Sequence, residues 1–194
     1  MRVFAAVRCS EEVSRSISHG RSILEPFTSG MRVSWIRPEQ YHVTLRFFGG
    51  VPLEKVEKLS AALRIVAKGR RPIEVRYSGV GAFPNWRRPA VIWAGLEDEG
   101  ALKELSELIF ERTRGIVPVR EEKEFKAHVT MGRVKERLPK SASDSAFVAM
   151  EASRLAFGAQ KISRMDLVES ILSPGGAEYR TVDSFDFCAE TPIK

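Results

Sequence analysis

Two stretches decide how this chain is read: YHVTLRFFGG at 41–50 and AHVTMGRV at 127–134. Both run small-or-apolar, His, Val, Thr, apolar, in a setting rich in β-branched and aromatic residues that predicts strands. Side chains alternate faces along a strand. His42 and Thr44 therefore share one face, and so do His128 and Thr130. Val43, Leu45, Val129 and Met131 point the other way, into a core. Each segment presents an imidazole and a hydroxyl about 7 Å apart along the strand. The chain has three histidines, and two of them sit in this shared context, 86 residues apart (42 to 128). The third, His19, falls off the apolar stripe of its helix and is expected on the surface. One His-x-Thr in a strand is an ordinary structural feature. A second copy points to an internal duplication, with each half placing one strand beside a shared cleft.

Working outward, residues 2–8 (RVFAAVR) predict a strand, followed by Ser10 as a helix N-cap with Glu11 and Glu12 in the first turn. Val13, Ile17 and Leu24 mark the buried stripe of that helix, which ends before Pro26. Strands are expected over 31–36, 41–48, 73–83, 90–96, 125–134, 161–171 and 178–187. Helices are expected over 53–68 and 99–114, on the spacing of Val56, Leu59, Leu63 and Val66 and of Leu102, Leu105, Leu108 and Ile109. A short helix is expected around 143–151, and a turn at Ser173-Pro174-Gly175-Gly176. The order of elements gives an α+β class, with antiparallel sheets and helices packed on one side of each. No charge run or low-complexity linker divides the chain, so residues 1–194 are expected to form one domain.

Composition bounds the rest. The 194 residues are 43% apolar and 29% charged, the balance of an ordinary globular protein. No stretch approaches a membrane span. The N-terminal apolar run is too short for a secretory signal, and a cytoplasmic protein is expected. Lys and Arg outnumber Asp and Glu by 31 to 25, and 21 of the 31 are Arg. Arg presents a fork matched to phosphate and carboxylate oxygens, so the bias permits an anionic ligand. Cys9 and Cys188 form no metal spacing and are expected as buried free thiols. No interface patch is legible, and a monomer is the default.

The paired motifs lack the carboxylate or thiolate that completes a zinc or iron site, and no metal or cofactor is expected. No G-x-S-x-G elbow is present. Two imidazoles with two hydroxyls fit general acid–base chemistry, one imidazole accepting a proton as the other gives one. Attack on a phosphodiester needs that set, with donors on the non-bridging oxygens. Arg133 falls on the opposite face from His128 by simple alternation, unless a bulge at Gly132 turns it inward to hold phosphate. By alternation Arg46 and Phe48 share the face of His42 and Thr44. Arg46 would then reach an RNA phosphate or line the rim. Phe48 would stack on a base or pack in the core.

The motif pair with its flanks resembles the 2H phosphoesterases, and within them the bacterial and archaeal 2′-5′ RNA ligase family. The resemblance is carried by HVTL at 42–45 and HVTM at 128–131. WIRPEQYHVTLRFFG (35–49), GAFPNWRRPAVIWAGL (81–96), FKAHVTMGRVK (125–135) and LSPGGAEY (172–179) add to it. It implies a bilobal fold of two pseudo-symmetric α+β lobes across a cleft. It implies metal-independent opening of a 2′,3′-cyclic phosphate at an RNA end or nucleotide to leave a 2′-phosphate, with 2′-5′ ligation as the reverse sense. It implies His42 as proton donor, His128 as proton acceptor, and Thr44, Thr130 and Arg133 as phosphate-binding groups. The near symmetry of the sequence does not itself assign acid and base. Two rival expectations are ligation as the main role and a non-catalytic RNA- or nucleotide-binding module.

Overall fold

The computed structural model describes residues 1–28, 31–118, 125–137, 152–173 and 176–188. The expected helix at 143–151 and residues 174–175 of the expected turn lie outside them. Nine strands are found: β1 Arg2–Arg8, β2 Met31–Trp35, β3 His42–Gly50, β4 Ile73–Phe83, β5 Val91–Glu97, β6 Val129–Arg137, β7 Ala156–Ile162, β8 Arg164–Ser173 and β9 Gly176–Asp186. Among the described residues three α-helices, α1 Glu11–Leu24, α2 Leu53–Ala67 and α3 Ala101–Thr113, complete the α+β architecture. Eight strands form one antiparallel sheet in the order β7-β4-β5-β6-β3-β1-β8-β9, and β2 pairs with β6 off that path. Among the described residues no helix is long and apolar enough to cross a membrane.

The strand order has a pseudo-twofold pattern about its centre. β9-β8-β1-β3 on one side mirrors β7-β4-β5-β6 on the other, and the halves meet where Val43 pairs with Val129. Those are the middle residues of the two His-x-Thr motifs. The duplication legible in the sequence is thus the seam of the sheet.

The helices form where the apolar stripes require. Ser10 Oγ accepts from Val13 N at 3.2 Å, capping α1. Val13, Ile17 and Leu24 are buried, as are Val56, Leu59, Leu63 and Val66 of α2 and Leu102, Leu105 and Ile109 of α3. These stripes pack on the side of the sheet that carries Val43, Leu45, Val129 and Met131, all fully buried. None of the described α-helices packs on the opposite, concave face. Cys9 and Cys188 are free thiols; Cys9 is half-buried, and Cys188 is exposed rather than buried.

Two departures from the expected elements have local causes. Residues 125–128 precede β6 instead of belonging to it, because the Lys126 carbonyl is taken by a side chain, His128 Nδ1, at 2.7 Å. The run expected from 161 divides at Ser163, whose carbonyl accepts from Phe187 N at 2.7 Å and leaves the ladder. β7 lies before that break.

A bulge interrupts each inner strand directly after the motif threonine. On β1, Ala6 pairs with Thr44 and Ala5 with Arg46, so Leu45 has no partner. On β5, Trp93 pairs with Thr130 and Ile92 with Gly132, so Met131 has none. A bulge leaves its extra residue outside the ladder, and each stranded carbonyl is satisfied elsewhere. Ser106 Oγ of α3 donates to Leu45 O at 2.6 Å, and Ile36 N donates to Met131 O at 2.8 Å. Ser106 is fully buried. Replacing it by Ala leaves the Leu45 carbonyl unsatisfied and is expected to lower unfolding free energy by about 1–3 kcal/mol, read from urea titrations at constant pH.

Candidate active site

The ladder at the seam sets the geometry. Continuing one residue either side of the Val43–Val129 pair puts His42 opposite Thr130 and Thr44 opposite His128, so the two motifs interlock on the concave face. Thr44, His42, Thr130 and Arg133 line a cavity of about 280 Å³ with Arg2, Phe4, Phe47, Ser170 and Tyr179. His128 stands at its edge, near enough for its charge to act on His42. A larger groove of about 1210 Å³ is lined by Lys68, Arg70 and Arg71 together with Glu97, Asp98 and Glu99; neither motif lines it.

The bulges decide which neighbours join the motifs. In β6 the skipped Met131 brings Arg133 onto the face of Thr130, and Arg133 lines the cavity. The extra residue lies one position before Gly132. A Cβ at Gly132 would stand 2.7 Å from both Trp35 and Val33 side-chain atoms. In β3 the skipped Leu45 has the same effect and overturns the alternation for Arg46 and Phe48. Arg46 is buried on the helix side, its guanidinium 5.1 Å from the centre of the Phe110 ring and 3.4 Å from Ser106 Oγ. Phe48 is buried in the core. The residue that faces the cavity is Phe47, 37% exposed, with the Arg2 guanidinium 5.1 Å above its ring. Phe47 and Arg133 thus each stand five residues after their histidine.

Both imidazoles are fixed in the same way. Nδ1–H of His42 donates to Gln40 O, and Nδ1–H of His128 donates to Lys126 O, each at 2.7 Å. A carbonyl only accepts, so Nδ1 carries the proton and Nε2 keeps its lone pair for the cleft. Aromatic rings hold each imidazole from the sides. Phe4 and Tyr179 lie 5.0 Å from His42, and Phe83 and Trp93 lie 5.1 and 6.4 Å from His128. Trp93 occupies the space a side chain at Gly81 would need, since a Cβ there would approach the indole to 2.2 Å. Sequence reading missed these four rings, because the signal is a cross-strand register rather than a motif.

This packing desolvates both imidazoles and disfavours their charged forms. Burial lowers His42 to about 4, helped by the nearby positive charge of Arg8, His128 and Arg133. Burial also lowers His128, with Arg133 adding to the effect. Both rings are neutral at pH 7, and among the described residues no carboxylate pairs with Arg133, which lines the cavity with His42. Among the described residues no three His, Cys, Asp or Glu side chains converge as a metal site. The set can bind a small anion between two hydroxyls and a guanidinium, and can move protons on either side of it.

Residues 7–93 match the family model described as LigT-like phosphoesterase. An Archaeoglobus fulgidus protein named RNA 2′,3′-cyclic phosphodiesterase is 33% identical over 186 residues, 96% of this chain and all of that protein. An Aeropyrum pernix protein of the same name is 32% identical over 161 residues, 79% of this chain and 86% of its own. A solved Thermus thermophilus structure superposes with a TM-score of 0.82 at 29% identity, covering 98% of this chain and 100% of that one. Escherichia coli LigT solved with 3′-AMP superposes with a TM-score of 0.75 at 18% identity, covering 96% and 97%; at that identity it speaks for the fold.

An anion in the cavity restores the charged form of the imidazoles, since an opposite charge raises a depressed histidine. NMR titration of the free protein is expected to give a His42 midpoint near 4. Saturating inorganic phosphate should move that midpoint upward; an unchanged midpoint would mean that the anion does not reach the ring.

Proposed function

This chain belongs to the LigT-like phosphoesterase family, within the 2H phosphoesterase superfamily, and on that premise we propose that it is an RNA 2′,3′-cyclic phosphodiesterase. Its substrate is an RNA end or nucleotide carrying a 2′,3′-cyclic phosphate, and its product carries a 2′-phosphate and a free 3′-hydroxyl. The observation that carries the reading is the interlocked pair of His-x-Thr motifs. His42, the Thr44 and Thr130 hydroxyls and Arg133 line one small cavity, His128 stands opposite Thr44 in the ladder, and each imidazole keeps Nε2 unprotonated.

The mechanism uses only those groups. Thr44, Thr130 and Arg133 hold the non-bridging oxygens by hydrogen bonds, the guanidinium by charge-assisted ones. Neutral His128 accepts a proton at Nε2 from water as the water oxygen bonds to phosphorus. The bond from phosphorus to O3′ breaks, and His42, as imidazolium, gives its Nε2 proton to that oxygen. Solvent then returns each histidine to its starting form. The roles of donor for His42 and acceptor for His128 follow the family resemblance. Depressing His42 makes its cation a strong acid toward a developing alkoxide, and the substrate's negative charge favours the protonation, by a proton from solvent, that burial resists. Phe47 offers a flat apolar face at one end of the cavity, suited to stacking the terminal base. No metal takes part. The same groups working in reverse would join a 2′,3′-cyclic phosphate to a 5′-hydroxyl, and water at its bulk concentration favours hydrolysis.

The test is a product assay on an oligonucleotide ending in a 2′,3′-cyclic phosphate, with EDTA present. A 2′-monophosphate is expected. A 3′-monophosphate overturns the assignment of the leaving oxygen, dependence on added zinc overturns the metal-free step, and binding without turnover leaves a binding module. His42→Ala and His128→Ala should each lower kcat/KM by at least about 10²-fold. Wild-type kcat/KM should follow a bell-shaped pH profile, and the kcat profile should lie at higher pH because bound phosphate raises both imidazoles. Adding RNA with a 5′-hydroxyl end to the same assay reads ligation as a longer product.

A further inference from the structure

Arg8 is a charged group on the concave face that the reaction above does not use. It pairs with His42 across β1 and β3, so the two side chains project from the same face as neighbours. Its place is built rather than incidental. Nε donates to Asp166 Oδ2 at 2.9 Å and Nη2 to Thr181 Oγ1 at 2.8 Å. Asp166 is 4% exposed, takes a second hydrogen bond from Ser184 Oγ at 2.7 Å, and has Arg164 3.7 Å from its other oxygen. The backbone is clamped as well, Gln160 Nε2 donating to Arg8 O at 2.9 Å and Gln160 Oε1 accepting from Ser10 N at 2.8 Å.

An ion pair with a buried carboxylate adds little net stability over apolar packing. What it does supply is orientation, a planar fork held still. Two of the five guanidinium N–H groups are engaged by Asp166 and Thr181. The side chain remains 32% exposed, so the other N–H groups can meet a ligand. The scaffold does not itself require a cation there. The ladder of β5 and β6, continued one residue beyond Ala94 and Val129, puts Gly95 at the matching position beside His128.

Phe47 and Arg2 stand at the far end of β3 and β1 from His42 and Arg8. On the functional reading above, a terminal nucleotide would set its phosphate at the motifs and its base on Phe47, in the cavity between them. We propose that Arg8 forms an anion subsite beyond that nucleotide, binding the phosphodiester that links it to the rest of the strand, so that the protein distinguishes an RNA end from a mononucleotide. This rests on the functional reading above and adds a specificity determinant to it.

The test compares two product-like ligands, a nucleoside 2′-phosphate and a dinucleotide ending in the same nucleoside 2′-phosphate, bound by full-length protein across a salt series. Wild type should prefer the dinucleotide. Arg8→Gln should cut that preference about tenfold, the scale of one hydrogen bond to a charged group. It should also lower the slope of log affinity against log salt for the dinucleotide by about 0.7, one single-strand phosphate contact. Arg164 keeps a counter-charge on Asp166, and the double variant R8Q/D166N removes both charges should the single variant fold poorly. No wild-type preference, an equal loss on both ligands, or no loss at all would overturn the subsite. Turnover of a cyclic mononucleotide is measured on the same wild-type preparation. Preference without turnover defeats the functional reading and leaves Arg8 standing; turnover with a preference indifferent to Arg8 does the reverse.

Discussion

The site depends on one extra residue in each of two strands. Strict alternation after Thr44 and Thr130 would put Arg46 and Gly132 on the open face, and Phe47 and Arg133 beneath it. Leaving Leu45 and Met131 outside the ladder reverses this. The aromatic and the guanidinium then join the imidazoles on the concave surface, and Arg46 goes under α3. Such a displacement persists only if the unpaired carbonyl finds a donor. The two halves meet that requirement differently, one with the Ser106 hydroxyl and the other with the Ile36 amide. Helix packing and site geometry are therefore linked: α3 lies against β3 and supplies the hydroxyl that holds the bulge.

Where the sequence was legible follows from this. Apolar periodicity reports burial over many residues at once, and the stripes of α1, α2 and α3 were readable because each repeats over several turns. The two motifs were readable because they occur twice. A bulge adds a single residue and leaves composition unchanged. Gly132 hinted at the one in β6, while β3 has Arg46 at the matching position and gave no such hint. Applying the same five-residue offset to His42 as to His128 would have picked Phe47 over Phe48. β7 was missed for another reason. Its stretch AFGAQKI buries only Phe157 and Ile162, and it carries an exposed glycine with φ of +93°. Edge pairing with β4, rather than any pattern of its own, makes it a strand. The Arg8–Asp166 pair joins residues 158 positions apart, a separation at which local reading gives no information.

The flanking rings and the backbone carbonyls act on the imidazoles in opposite directions. Phe4, Tyr179, Phe83 and Trp93 remove water and disfavour the cation. The Gln40 and Lys126 carbonyls accept Nδ1–H and favour it. Desolvation prevails at both rings, so at pH 7 both are neutral bases, with the Arg133 guanidinium lining the same cavity as His42. On the proposed function, an arriving phosphate would meet positive charge that no carboxylate among the described cavity residues neutralises, and its own charge would bring an imidazole toward protonation. In the proposed mechanism, coupling the charge state to occupancy in this way would keep the acid from being fully formed until there is a leaving group to protonate.

A duplicated scaffold would by itself give two equivalent histidines, whereas ring opening needs two different ones. The structure breaks the equivalence at positions the duplication leaves free. Arg8 stands beside His42 where Gly95 stands beside His128, and Arg8 leads the charges acting on His42 while Arg133 is the one acting on His128. Phe47 and Arg133 do the same one step further along, an aromatic ring on one strand against a guanidinium on the other, both lining the cavity. Environments that differ around chemically identical groups give them different proton affinities. The symmetric part of the fold thus brings the two imidazoles together, and the side chains five residues after each, with the one across the strand, make them unlike.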